Sequence, residues 1–348
     1  MKYIRFLLIL IPLSIIGVIM KWNATAMFFI TAISIVPLAG YLGMATEEIA
    51  VYTGPKFGGF LNATFGNATE LIISFFAIRA GLLDVVKASL AGSVLGNILL
   101  VLGCSIFIGG LKHKELKYDS QLGTFTATML LFAVVGLALP ALFTSGVNPG
   151  LVSTKYESFS IITSVILLVI YVIGLVYSFK TSKDLYGTEH AEDIDSNWSL
   201  PVAIIVLAIA TVLIAIESEW LVDRIEPMTR AAGISEMFVG IILIPIVGNV
   251  AEHTTAVIMA LKNKMDISLE IAVGSSLQVA LFVIPVSVLI SLFFTPMSLV
   301  FKPIEIFLFG ASVLIANQVV KSGKTNWVEG LKLISVYIIA AVGFFVIH

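Results

Sequence analysis

Charge is scarce in this chain. Lys and Arg number 20 and Asp and Glu 22, together 12% of 348 residues, against about a quarter in a typical soluble domain. That shortage excludes an ordinary water-exposed surface. The net charge of −2 comes without a basic stripe, so nucleic acid is not an expected partner. Cysteine is scarcer still. Cys104 stands alone in an apolar run, which excludes an internal disulfide, leaves no soft-metal partner nearby, and reads as a small buried residue.

What the chain has instead is hydrocarbon. Hydrophobic residues make up 59% and the mean hydropathy is +1.06, the composition of an all-α polytopic membrane protein whose surroundings are lipid. Apolar runs of spanning length recur at 4–20, 25–44, 58–79, 85–110, 121–143, 157–179, 200–220, 236–261, 268–294, 303–320 and 328–347. Each meets the need for about 20 residues across a hydrocarbon core of about 30 Å, so eleven transmembrane helices are expected. Lys2 and Arg5 precede Phe6–Met20 as in a leader, and Ala24-Thr25-Ala26 imitates a cleavage site. Lys21 and Trp22 instead mark a membrane interface, and the stretch is read as a retained first helix.

Orientation follows from the basic residues. With the N-terminus inside, the inner segments hold thirteen Lys and Arg and the outer segments seven. The expectation is therefore a cytoplasmic N-terminus and an extracellular C-terminus.

The chain also says one thing twice. Gly66-Asn67-Ala68-Thr69-Glu70 returns as Gly248-Asn249-Val250-Ala251-Glu252, at an offset of 182 residues. The same offset carries Asp84 onto Asp266, Gly92-Ser93 onto Gly274-Ser275, and Leu95, Leu99 and Val101 onto Leu277, Leu281 and Val283. The first motif lies on helix 3 and the second on helix 8. Five helices apart is an odd number, so the copies enter the membrane from opposite sides, the inverted-topology repeat of many secondary transporters. The expected organisation is an extra helix over 1–22, a five-helix repeat over 23–179 (helices 2–6), an acidic cytoplasmic linker over 180–199, and a second five-helix repeat over 200–348 (helices 7–11).

Both copies place a carboxylate inside an apolar run, at about 2.5–3.5 kcal/mol each on insertion scales. Two such costs at matching places point to a site. In Gly-Asn-x-x-Glu the Asn and Glu are three apart, so Asn67 shares a helix face with Glu70, and Asn249 with Glu252. Gly66 and Gly248 weaken the helix and free backbone carbonyls toward a ligand. Two facing motifs would offer six or more hard oxygens, which suit Ca²⁺ better than Mg²⁺. Zinc would ask for His or Cys. A purely structural role, with each Asn–Glu pair bonding between helices, is the bland alternative.

Around this pair lie further polar residues. Ser93 with Asn97, and Ser275 with Gln278, form polar stripes on apolar helices, as direct ligands or as support for the glutamates. The copies differ here, since Asn97 aligns with Val279 and Gln278 with Gly96. His253 adjoins Glu252 and points about 100° away from it, which suits an interhelical hydrogen bond better than metal ligation and leaves a proton relay open. Glu47 and Glu48 at the inner end of helix 2, and Glu217, Glu219, Asp223 and Glu226 at the outer end of helix 7, are solvated helix ends or groups that concentrate cations. Asp184, Glu189, Glu192, Asp193 and Asp195 give 180–199 the same two readings.

The stretch Gly58-Gly59-Phe60-Leu61-Asn62-Ala63-Thr64-Phe65-Gly66-Asn67-Ala68-Thr69-Glu70-Leu71-Ile72, with Gly92-Ser93 and Leu99-Leu100-Val101-Leu102-Gly103, resembles the cation/proton exchanger (CAX) branch of the Ca²⁺:cation antiporter superfamily. So do Gly248-Asn249-Val250-Ala251-Glu252-His253, Lys264-Met265-Asp266 and Gly274-Ser275-Ser276-Leu277-Gln278-Val279-Ala280-Leu281-Phe282. The resemblance implies H⁺-coupled Ca²⁺ export, with Glu70 and Glu252 as shared ion ligands and Asn67 and Asn249 beside them. It also implies an acidic segment between the halves at 180–199. Sodium-coupled relatives carry Gly-Thr-Ser and Pro-Glu variants that this chain lacks, and the compact length looks prokaryotic, which implies the cell membrane. No resident cofactor is implied, since Ca²⁺ and H⁺ are the substrates, and a homo-oligomer is compatible. The alternatives are an antiporter coupled to Na⁺ or carrying another divalent ion, then a cation channel. An intramembrane enzyme would need a substrate cradle, and no such motif is present, so the chain is not read as an enzyme.

Overall fold

The computed structural model describes residues 4–144, 152–181 and 198–346. Most of the acidic linker expected at 180–199 lies outside the described residues. The described chain is helical almost throughout: α1 (Leu10–Ile19), α2 (Ala24–Thr53), α3 (Pro55–Phe65), α4 (Ala68–Arg79), α5 (Leu83–His113), α6 (Ser120–Thr144), α7 (Val152–Thr181), α8 (Leu200–Asp223), α9 (Ile225–Ala232), α10 (Glu236–Gly248), α11 (Val250–Leu261), α12 (Met265–Ser291), α13 (Pro303–Lys321) and α14 (Trp327–Val346).

Helices cover all eleven apolar runs, but not as eleven uniform spans. Among the described residues eight helices are long and apolar enough to cross a membrane, and a ninth span results if α9 and α10, bent by 118°, count as one. Three runs account for the difference. The first yields an apolar helix only over Phe6–Ile19, about 21 Å at 1.5 Å per residue. The runs at 58–79 and 236–261 are each divided, α3 from α4 and α10 from α11. A two-residue antiparallel ribbon, β1 (Leu116–Lys117) with β2 (Lys324–Thr325), also departs from an all-helical chain. It forms where two short loops run side by side and bury Leu116 and Thr325. Tyr118 anchors it by donating its hydroxyl to the Val319 carbonyl, and burial pushes that phenol above its usual range, which keeps the donor proton in place.

The helices gather into two compact units, each drawing on both halves of the sequence. The first runs to Ser89 and takes in α8–α10 and the chain to Ala251. Its axis is α2, packed along α8 and flanked by α1, α3, α9 and α10, with α4 against α8. Leu38 and Leu42 of α2 meet Ala210 and Ile214 of α8, and Leu8, Ile11, Ala68 and Ile72 close the cluster. Asn23 starts α2 by accepting the Ala26 N–H at 2.8 Å, an N-cap.

The second unit holds Leu90 onward through α7, then Glu252–Val342. Here α12 is central, with 78% of its apolar window buried against 22% for α8. Tyr171 of α7 stacks on Phe282 of α12 at 5.2 Å. The outer helices invert the soluble pattern. Ile162, Ile166, Val169 and Ile173 of α7, like Ile205, Ile209 and Val212 of α8, are exposed. A stripe of that size at helical spacing demands hydrocarbon around it, and the protein is a multi-pass membrane protein.

The long helices are not uniformly α-helical. Wider π-helical turns occur in α5 (Gly96–Val101), α10 (Val239–Leu243) and α12 (Glu270–Gly274 and Val279–Val283). Such turns mark functional positions in many helices, and here they carry or flank Asn97, Ser275 and Gln278.

Helices α5 and α14 cross where side chains are missing. A Cβ on Gly330 would lie 2.4 Å from the Phe107 nitrogen and 2.6 Å from the Gly103 oxygen, whereas one on Gly310 would meet nothing within 4 Å. Gly330→Val should therefore destabilise the protein by about 1–3 kcal/mol, while Gly310→Ala should be neutral or stabilise by about 0.5–1 kcal/mol. Thermal unfolding of the solubilised protein checks both. Equal midpoints for the two variants would contradict this packing.

Candidate functional site

Each motif sits at a break between two helices. Helix α3 closes at Gly66, whose N–H reaches the Asn62 oxygen at 2.8 Å. Asn67 then leaves helical geometry at φ −105°, ψ 17°, and α4 begins. In the second copy α10 closes at Gly248, Asn249 takes φ −104°, ψ 9°, and α11 begins. The two breaks share one backbone shape.

The helix break expected at Gly66 and Gly248 takes in Gly66 and Asn67 in the first copy and falls on Asn249, one residue after the glycine, in the second. Gly66 keeps ordinary helical angles, φ −55° and ψ −36°. The reason lies in the asparagine. Asn249 donates both its backbone N–H and its side-chain Nδ2 to the Pro245 oxygen, at 3.1 and 3.0 Å, the local bonding by which Asn competes with a helical ladder. The glycine has another use. A Cβ built on Gly248 would lie 3.6 Å from Cδ and Oε1 of Glu70, so the bare face of the second motif lies against the carboxyl of the first.

The break places each glutamate as the third residue of a new helix, Glu70 in α4 and Glu252 in α11. The exposed N–H groups and dipole there favour negative charge. In the first unit Asn67, Glu70 and Asn249 are buried at 0%, 5% and 1% exposure. Single oxygens of these side chains, Asn67 Oδ1, Glu70 Oε2 and Asn249 Oδ1, accept no hydrogen bond, while each residue makes other interactions.

The second unit joins its polar residues in a chain. Ser275 Oγ donates to Glu252 Oε2 at 2.7 Å. Asn97 Nδ2 donates to Ser275 Oγ at 3.0 Å, and Asn97 Oδ1 lies 3.2 Å from His253 Nε2. An amide oxygen only accepts, so that last bond puts the proton on Nε2 of His253. Asn97 can join two helices because the π-helical turn of α5 carries it. Ser93 and Gln278 are buried in this unit. Glu252 itself is half-buried, unlike Glu70.

The acids expected at the mouths divide. Glu47 is exposed, Glu48 Oε2 accepts the Trp198 N–H at 3.2 Å, and Glu219 pairs with Arg79 at 3.1 Å. Glu217 does not belong with them. It is 1% exposed and bonded to Ser14 of α1, because its place on α8 faces the neighbouring helix and not the bulk. Asp84 and Asp266, matched in the repeat, also diverge: the former pairs with Lys87 at 3.1 Å and the latter accepts the Asp119 N–H at 2.6 Å. The π-helical turns were not anticipated, and the glycines within three of them, Gly96, Gly240 and Gly274, are the hint of an irregular helix.

Known proteins resemble this chain in sequence and fold. The family model described as sodium/calcium exchanger protein matches residues 23–180 and 202–346. The Ca²⁺/H⁺ antiporter ChaA of Bacillus subtilis is 43% identical, over 100% of both chains. A Ca²⁺/H⁺ antiporter of Aphanothece halophytica is 40% identical over 97% of this chain and 95% of its own. The solved structure of native YfkE superposes with a TM-score of 0.85 at 41% identity, covering 98% of this chain and 99% of the other.

Ser275→Ala removes the hydroxyl that links Asn97 to Glu252. Divalent-cation affinity, measured by isothermal titration of the solubilised protein, should fall about tenfold, the equivalent of one hydrogen bond to a charged group. Unchanged affinity would leave that hydroxyl a packing role only.

Proposed function

The chain belongs to the sodium/calcium exchanger protein family, and from that premise we propose that it is a secondary antiporter that exports cytoplasmic Ca²⁺ in exchange for H⁺. The observation that carries this reading is its identity of 40% and more, over nearly the whole length, to antiporters named for those two ions. The paired carboxylates supply the chemistry. Glu70 and Glu252 bind the exchanged ions, with the oxygens of Asn67 and Asn249 as further ligands. Ser275, Asn97 and His253 position Glu252, and Ser93 and Gln278 are polar support. A buried carboxyl without a cation favours its protonated form, and a divalent ion reverses that preference.

Occupancy is then exclusive, which couples the two fluxes. Protons running down their gradient leave the carboxylates only as Ca²⁺ arrives. Alternation between inward and outward access, in the manner of inverted-repeat transporters, does the rest. The repeats at 23–179 and 200–348 are the two halves, helix 1 lies outside them, and the segment at 180–199 links them on the cytoplasmic side. The N-terminus is cytoplasmic and the C-terminus extracellular, in the cell membrane of a prokaryote.

Everted vesicles or proteoliposomes test this. A pH gradient should drive Ca²⁺ uptake, and Glu70→Gln or Glu252→Gln should reduce it to the level of protein-free vesicles. A Na⁺ gradient without a pH gradient should drive none. Uptake that survives Glu70→Gln contradicts the site, and uptake driven by Na⁺ alone contradicts the coupling ion.

A further inference from the structure

We infer that Glu217 is a proton-binding site separate from the transport carboxylates, a protonated carboxyl that fastens α1 to α8. Ser14 is the one polar residue of α1, and it is fully buried. Its Oγ lies 2.7 Å from the Ile11 oxygen and 2.5 Å from Glu217 Oε1. Both are full hydrogen-bond lengths, yet a hydroxyl owns a single proton. The Ile11 carbonyl can only accept. If Glu217 were ionised it too could only accept, and one contact would place two oxygens together with no hydrogen between them. Both contacts are satisfied when Glu217 carries the proton and donates to Ser14, and Ser14 donates to Ile11.

The surroundings agree with a neutral carboxyl. Glu217 Oε2 is buried and accepts no hydrogen bond, a large penalty for an ionised group and a small one for a carbonyl-like oxygen. One turn below lies the apolar cluster of Ile11, Leu38, Ala210 and Ile214. Among the described residues, the basic groups on the helices packed against α8 are paired with acids other than Glu217. Helix α1 has no titratable group, and α2 has Tyr41 beside the apolar cluster and Glu47, Glu48 and Tyr52 near its C-terminal end. On α4, Glu70 belongs to the transport motif and Arg79 is paired with Glu219; on α9, Arg230 is paired with Glu226 at 3.4 Å. On α8 itself Asp223 and Arg224 lie at the C-terminal end, and Arg224 Nε receives no partner. The tie between α1 and α8 is therefore made while Glu217 carries its proton and opens when that proton is lost.

Infrared difference spectroscopy on the reconstituted full chain tests this, with Ca²⁺ saturating so that the transport carboxylates hold metal and no proton. Wild type minus Glu217→Gln should show a protonated-carboxyl stretch at neutral pH that vanishes on raising the pH. Ser14→Ala should keep that stretch at a shifted frequency, and this variant serves if Glu217→Gln fails to accumulate. Absence of the stretch, or an unshifted stretch in Ser14→Ala, overturns the assignment. A stretch that Ca²⁺ removes would place Glu217 in the exchange site and overturns it equally. The transport reading fails separately, if Ca²⁺ leaves every other protonated-carboxyl band unchanged.

Discussion

A carboxylate placed among hydrocarbon must find compensation, and the rest of the molecule is arranged around that requirement. Water would solvate such a group, but Glu70 is buried and its helix lies in an apolar run. What remains is a helix N-terminus, a cation or a proton. The chain supplies the first by breaking two helices just before Glu70 and Glu252. On the function proposed above, the second and third are alternatives, and a group that holds one or the other in turn is an exchanger in outline.

The broken helices carry a cost of their own. Each break exposes carbonyls and N–H groups that hydrocarbon cannot satisfy. Asn249 answers by closing onto the Pro245 oxygen with two bonds. Bare backbone at Gly248 lets the carboxyl of Glu70 approach. In the second unit the corresponding glutamate is held from its side by Ser275 and, through it, Asn97 and His253. The two copies thus share a backbone device and differ in its side-chain support, as the mismatch of Asn97 with Val279 already suggested. A transporter that must treat its two sides differently has use for that inequality.

Much of this was legible from residue order. Length and hydropathy located the long apolar helices but not the short α9 (Ile225–Ala232) between two runs, and repetition at a fixed offset singled out Asn67, Glu70, Asn249 and Glu252 because polarity inside an apolar run is conspicuous. What was not legible depended on neighbours distant in sequence. Glu217 reads as a charge at a helix end until Ser14, some two hundred residues earlier, is seen beside it. The π-helical turns leave no periodic trace, since one extra residue in a turn hardly alters an apolar stripe. The break was assigned to glycine on propensity; it takes in Gly66 in the first copy, while in both copies the asparagine that follows takes the irregular angles. The short ribbon at Leu116 and Thr325 was equally invisible, being a meeting of two loops.

The central claim is that the same carboxyl groups hold protons and Ca²⁺ by turns. Its most direct measurement is proton release in a weakly buffered solution of solubilised protein as Ca²⁺ is added, read with a pH indicator. The account predicts that protons appear in step with Ca²⁺ bound, and that Glu70→Gln with Glu252→Gln abolishes both signals together. Ca²⁺ binding with no proton released would contradict it.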